Sequence, residues 1–111
     1  MKIEFFPTRN INSVQSSGDT VRFRVTRSPD SIKFDTDVFG SPFELAQSTA
    51  RQIESAWNAD TRQYPCGKGR FVGGRARLIF SVHPSREGFW KGYLSDALSN
   101  SSAWIFTRRA A

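Results

Sequence analysis

Hydrophobic and polar residues alternate along two neighbouring segments of the N-terminal half. Residues 20–27 place valine and phenylalanine at every second position, with arginine and threonine between them, and residues 32–36 repeat the alternation. A period of two is typical of strands that bury one face. Residues 28–31, Ser-Pro-Asp-Ser, carry turn-forming side chains. The pattern therefore predicts an antiparallel hairpin with a four-residue loop.

The register of this hairpin pairs opposite charges on its polar face. A four-residue loop sets Arg24 opposite Asp35 and Arg22 opposite Asp37. Such pairs are worth little individually, but they neutralise the surface they occupy. We therefore discount the two arginines as contacts for a partner.

Four further segments are predicted to be strands. Ile3 to Phe6 forms a short one that ends at Pro7, which has no N–H to donate. In residues 75–83 the apolar side chains of Ala76, Leu78, Phe80 and Val82 alternate with those of Arg75, Arg77, Ile79 and Ser81. Residues 89–94 and 104–107 are interpreted as the last two strands, with a single helical turn over 95–98.

One helix is predicted between the two groups of strands, at about residues 42–60. Ser41-Pro42-Phe43-Glu44 has the form of a capping box with proline at the first helical position. The following apolar residues share one helical stripe: Phe43, Ala46, Ala50, Ile53 and Trp57. The stripe is assigned to the core.

These elements predict an α+β fold in the order β-β-β-α-β-β-β. We expect an antiparallel sheet of about 5–6 strands with the single main helix packed on one face. The chain has 111 residues, the size of one ordinary domain, so residues 1–111 are assigned to a single compact basic domain.

The charge of the chain is divided unevenly along its length. Residues 1–60 hold seven basic and eight acidic side chains, whereas residues 61–111 hold nine and two. From Thr61 to Arg86 there is no Asp or Glu at all, and the C-terminal half offers only Glu87 and Asp96. We therefore expect less neutralisation of Arg75 and Arg77 by cross-strand acids than of Arg22 and Arg24. A concentrated positive field attracts polyanions or acidic protein surfaces.

The basic segment 61–86 is the candidate binding site. Its glycine-rich loop, 65–74, fits neither the Walker A nor the dinucleotide fingerprint nor the aromatic RNA-binding strand motif. Glycines permit close backbone approach, cations neutralise phosphates and aromatic rings stack on bases. The predicted contacts with nucleic acid or an acidic partner are Arg62, Lys68, Arg70, Arg75 and Arg77, with Tyr64 and Phe71 as stacking residues. The alternative is a connector whose charges are simply solvated.

Two aromatic residues of the segment 89–94 are candidate interface anchors. Trp90 and Tyr93, together with Phe89, put large aromatics on both faces of the predicted strand, so at least one is expected outside the main core. A second small hydrophobic cluster is the equally good alternative.

Catalytic and metal chemistry have little support in the sequence. His83 is the only histidine and Cys66 the only cysteine, which leaves no further soft ligand for a metal site. A single cysteine is typical of a reducing compartment, and no apolar run approaches a membrane span. We expect a cytoplasmic, non-enzymatic protein without catalytic residues, metal or cofactor and without a membrane partner.

Two functions follow as hypotheses. The first is a small nucleic-acid-binding protein that contacts the phosphate backbone of DNA or RNA through residues 61–86. The second is a protein-binding inhibitor or adaptor, of phage anti-defence type, that docks its basic and aromatic face on an acidic surface of a protein or nucleoprotein complex. The oligomeric state stays open.

Overall fold

A computed structural model describes residues 2–7, 20–36, 43–74 and 77–106 of the chain. Its strands are β1 (Lys2–Pro7), β2 (Thr20–Arg27), β3 (Ile32–Thr36), β4 (Phe43–Leu45), β5 (Gly69–Phe71), β6 (Leu78–Val82) and β7 (Trp104–Phe106). Its helices are α1 (Gln47–Gln63) and α2 (Glu87–Ser99), with short 3-10 turns at Pro84–Arg86 and Ser101–Ala103. The α+β class is confirmed.

Five strands form one sheet in the order β1-β2-β3-β6-β5, and β4 pairs with β7 in a second, smaller sheet. The predicted hairpin is confirmed: β2 and β3 are antiparallel, and Arg24 lies opposite Asp35. The expected partner of Arg22, Asp37, lies outside the described residues. The prediction of a wholly antiparallel sheet is wrong, because β1 runs parallel to β2. The twelve residues between these strands match the dozen that a parallel connection needs.

One face of the large sheet, which we call the inner face, carries the core. Its alternate positions on the three central strands are all buried. They are Val21, Phe23 and Val25 on β2, Ile32, Phe34 and Thr36 on β3, and Leu78, Phe80 and Val82 on β6. Helix α1 packs here through Trp57, whose ring meets Phe71, and α2 through Trp90, whose ring meets Phe80 edge-on at 5.2 Å. The described helices therefore both cover the inner face.

Helix α1 begins later than its capping signal predicts. Residues 43–45 are a strand rather than the first turn, and the N-cap is Ala46. Leu45 exchanges backbone hydrogen bonds with Gly74, and the N–H of Ala46 donates to the carbonyl of Ala103 at 2.9 Å. Backbone pairing with distant segments thus overrides the local preference for a helix. Within the helix the predicted stripe is confirmed at Ala50 and Ile53, which are buried.

The predicted strand at 89–94 is wrong, since these residues belong to α2. Trp90, Leu94 and Leu98 recur every four residues and are fully buried. That spacing is the period of a helix, but it extends over the whole of 87–99 and is not visible in a six-residue window. The single turn predicted at 95–98 is the C-terminal part of this helix.

Two glycines have open space around them, but we expect their replacement by alanine to change the free energy of unfolding in opposite directions. A Cβ at either Gly92, within α2, or Gly74 meets no atom within 4 Å, but Gly74 has a φ of +75°. We expect Gly92→Ala to raise the free energy of unfolding by roughly 0.5–1 kcal/mol through helix propensity. We expect Gly74→Ala to lower it by roughly 1 kcal/mol, because a left-handed backbone strains an L residue. Urea denaturation of both variants checks the pair, and equal shifts of the same sign contradict it.

An ion pair joins the end of β2 to the start of α2 and makes stability depend on pH. Arg27 donates to the Glu87 carboxylate at 3.0 and 2.6 Å, and these hydrogen bonds, assisted by Lys91, lower the pKa of Glu87. A carboxyl with a lowered folded pKa stabilises the fold above its unfolded pKa, about 4.3, and loses this effect as the pH falls through the folded value. We therefore expect Glu87→Gln to cost about 1 kcal/mol or less at pH 7, since the pair is partly exposed. The difference from wild type should vanish in acid; a difference that is constant from pH 7 to acid would contradict this account.

Candidate nucleic-acid interface

The face of the large sheet opposite the core, which we call the outer face, is rich in cations. Register aligns one row across all five strands, running Phe6, Arg24, Asp35, Ile79 and Arg70. The described cations of this face and its rim are Lys2, Arg22, Arg24, Lys33, Lys68, Arg70 and Arg77, and its described acids are Glu4 and Asp35. In the described part of the chain both helices lie on the other side. The outer face therefore presents an excess of positive charge.

An open depression of about 520 Å³ lies at the β5 edge of this face. Lys33, Lys68 and Arg70 line it, and its remaining lining residues are Gly69, Ile79 and Ser81. All three cationic side chains belong to exposed residues. Among the described residues none of them forms an ion pair. We call this group of six residues the basic depression.

The conformation of β5 directs Arg70 outwards. Gly69 lies opposite Phe80 and Arg70 opposite Ile79, so the strand alternation turns the Arg70 side chain away from the core. A Cβ at Gly69 would lie 2.6 Å from the Phe71 ring, which occupies that space on the inner face. Glycine at this position thus lets Phe71 fold back against Phe80, at a ring distance of 5.2 Å. The packing of Phe71 fixes the short edge strand that carries Arg70.

Arg77 forms the ion pair that its sequence position made unexpected. Its Nε donates to Oδ1 of Asp35 at 3.0 Å, and its terminal nitrogen bonds the other carboxylate oxygen. The sequence argument that acids were too scarce near Arg77 was wrong, because Asp35 comes from the N-terminal half through the β3–β6 pairing. Asp35 is buried, although half of the Arg77 side chain stays exposed. Arg75 lies outside the described residues.

The two predicted stacking residues do not face this depression. Phe71 packs on the inner face between Trp57 and Phe80. Tyr64 follows α1 and contacts His83 and Arg86, with the Arg86 guanidinium 4.9 Å from its ring centre. Both rings are therefore used in packing of the core and helical layer, where they stabilise the fold.

Arg62 is exposed in the last turn of α1 and does not line the basic depression. Of the seven residues predicted to bind a partner, the structure thus brings Lys68 and Arg70 together in one concave surface. Lys33 joins them there, and the sequence analysis missed it because it lies in the N-terminal half. Its strand alternation placed it on the polar face, which was the one available signal.

Trp90 is not an exposed anchor. It is fully buried, and its Nε1 donates to Oδ2 of Asp60 at 3.0 Å. Tyr93 is partly buried and stacks with Phe89. The exposed aromatic of this helix is Phe89, at 48% exposure, with the Arg86 guanidinium 4.1 Å from its ring centre. Phe89 is thus the large aromatic expected outside the core, whereas the two candidate anchors, Trp90 and Tyr93, are buried and partly buried.

The lone thiol and the lone histidine are separately engaged. Burial raises the pKa of Cys66, which disfavours the nucleophilic thiolate. His83 Nδ1 lies 2.8 Å from the Ser85 hydroxyl and accepts from the Ser85 N–H. Within the described ranges no three His, Cys, Asp or Glu side chains come together in positions to hold a metal ion.

Comparisons with known protein families, with curated proteins and with solved structures give no match for this chain. Neither of the helices described for it has the length and apolar character needed to cross a membrane. Function is therefore inferred from the chemistry of the outer face.

Proposed function

We propose that this chain is a small non-enzymatic nucleic-acid-binding protein that contacts the phosphate backbone through the outer face of its sheet. The observation that carries the proposal is the basic depression, where Lys33, Lys68 and Arg70 line one concave surface and no described acid joins them. The single thiol is consistent with action in the cytoplasm.

The spacing of these cations suits an extended polyanion. Lys68 and Arg70 are two residues apart on one edge, about 7 Å along an extended chain. Lys33 is separated from β5 by β6, which adds about 10 Å across the sheet. Cations on backbone positions this far apart present positive charge over the length of an extended polyanion, and their long side chains also reach one shared depression. Arg77 is neutralised by its ion pair with Asp35, so Lys33, Lys68 and Arg70 carry the proposal.

Backbone contact is favoured over recognition of bases. In the described rows of the outer face the apolar side chains are Phe6 and Ile79, and Arg22 already lies over the Phe6 ring at 5.3 Å. Few rings are thus available for stacking, and phosphate contacts carry no sequence information directly. We therefore expect affinity with little dependence on base sequence.

Binding of the purified chain to labelled single- and double-stranded DNA and RNA, followed by fluorescence anisotropy across a salt series, tests the proposal. We expect micromolar affinity near physiological salt, and a logarithmic salt slope of about −2 to −3 if the three cations each neutralise one phosphate. A scrambled-sequence oligonucleotide should bind equally well. No detectable binding to any of the four at low salt would reject the proposal.

The alternative, a protein that docks on an acidic partner, keeps one supporting observation. Phe89 is half exposed beside the Arg86 guanidinium, and aromatic and arginine side chains are enriched at binding hot spots. This pair belongs to α2 and the turn before it, on the helical side of the molecule. Phe89→Ala therefore separates the alternatives. If the outer face binds nucleic acid, the affinity for nucleic acid should be unchanged. If the protein docks through α2, its affinity for the acidic partner should fall.

A further inference from the structure

We infer that the basic depression binds a terminal phosphate of the nucleic acid, a phosphomonoester, in preference to the diesters within the strand. This inference rests on the proposed function and specifies which part of the polyanion occupies the depression. Binding of a terminal phosphate depends on several cations lying close together, whereas binding of the backbone requires only an excess of positive charge on the outer face.

The first support is the charge balance inside the depression. Among the described residues, three cationic side chains and no acid line a single concavity. A backbone diester carries one negative charge, whereas a phosphomonoester carries about −1.5 to −2 at pH 7. A ligand group with nearly two charges therefore balances this lining better than one diester does.

The second support is the supply of hydrogen-bond donors. Lys33 lies opposite Ser81 in the register of β3 and β6, and Arg70 lies opposite Ile79. Two ammonium groups, one guanidinium fork and the Ser81 hydroxyl thus belong to residues that line the same depression. A monoester exposes three terminal oxygens as acceptors, whereas a diester exposes two. The depression therefore has enough donors for the three terminal oxygens of a monoester.

The third support is its position at the edge of the sheet. β5 is an outer strand of three residues, and no described strand borders it on the side away from β6. A strand end can enter from this side while the following phosphates continue across the outer face. The end group and the backbone are then bound by the same surface.

The test compares oligothymidylates that differ only at the 5′ end. The probes are a 5′-phosphorylated oligomer, its 5′-hydroxyl counterpart and a longer 5′-hydroxyl oligomer with the same total charge, each with a 3′ fluorophore. We expect the phosphorylated probe to bind about tenfold more tightly than either of the others, because the monoester offers the lining cations more charge and one more acceptor oxygen than a diester does. Equal affinity for all three would overturn the inference and leave the proposed function standing. Failure of all three to bind would reject both.

Variants show whether a preference for the 5′-phosphate arises from the basic depression. Lys68→Ala is an exposed change expected to remove the advantage of the 5′-phosphate, while Arg51→Ala, on the exposed side of α1, should retain it. An advantage that survives Lys68→Ala, Lys33→Ala and Arg70→Ala would overturn the inference. Thymidine monophosphate is the last probe: competition at the affinity of the oligomer would identify a free nucleotide as the ligand and would also overturn it. Thermal denaturation of each variant verifies that it is folded.

Discussion

Replacing Asp60 by alanine is expected to cost about 3 kcal/mol of the free energy of unfolding. This carboxylate is 8% exposed near the C-terminal end of α1, and it accepts from Arg86 Nε at 2.7 Å and from Trp90 Nε1 at 3.0 Å. Alanine leaves a fully buried indole N–H without its acceptor and a guanidinium without its counter-charge. Because Asp60 links both helices, the loss should appear as one cooperative transition at lower urea concentration.

Two further variants show whether the charge or the shape of Asp60 matters. Asp60→Asn keeps the volume and one acceptor oxygen, so we expect a smaller loss than for alanine. Glu54→Ala, an exposed change on the same helix, should stay within about 0.5 kcal/mol of wild type. A loss below about 1 kcal/mol for Asp60→Ala would show that the two donors find other acceptors, and would remove Asp60 from the account of stability.

Reversing two charges of the basic depression is expected to weaken nucleic-acid binding about a hundredfold. Lys68→Glu combined with Arg70→Glu removes two phosphate contacts, which should also reduce the magnitude of the logarithmic salt slope by about 2. Both residues are exposed and neither pairs with a described acid, so the fold should tolerate the change. Anisotropy across the salt series measures affinity and slope together.

The matched control changes the net charge equally but on the helical side. Arg51→Glu combined with Arg62→Glu alters two exposed residues of α1. We expect a loss of affinity of a few-fold at most near physiological salt, where the Debye length is about 8 Å. Equal losses for the two double variants would mean that overall charge, and not the outer face, determines binding.

The sequence predicted the parts of the fold that depend on local alternation. The β2–β3 hairpin and its register were accessible because valine and phenylalanine alternate with polar residues on both sides of a turn. Helix α1 was found from its apolar stripe, but its start was misplaced because pairing of Leu45 with Gly74 is a long-range backbone contact. Helix α2 was missed because its period appears only across thirteen residues.

The candidate site was predictable in part. Lys68 and Arg70 were singled out because an acid-free segment contains them. Lys33 was missed, and Arg77 was expected to be unpaired, for one reason: β3 is inserted beside β6 in the sheet. That pairing brings a lysine and an aspartate from the N-terminal half to the basic segment, and no local pattern in either half encodes it.

The most direct test of the central claim is the mapping of the nucleic-acid contact by NMR. Amide shifts of the labelled protein are followed during titration with a short oligonucleotide. The account predicts that the largest changes lie at Lys33, at residues 68–71 and at Ile79 and Ser81, with little change along the exposed side of α1 and at Phe89. Saturable shifts confined to α1 and α2, with the outer face unperturbed, would contradict it.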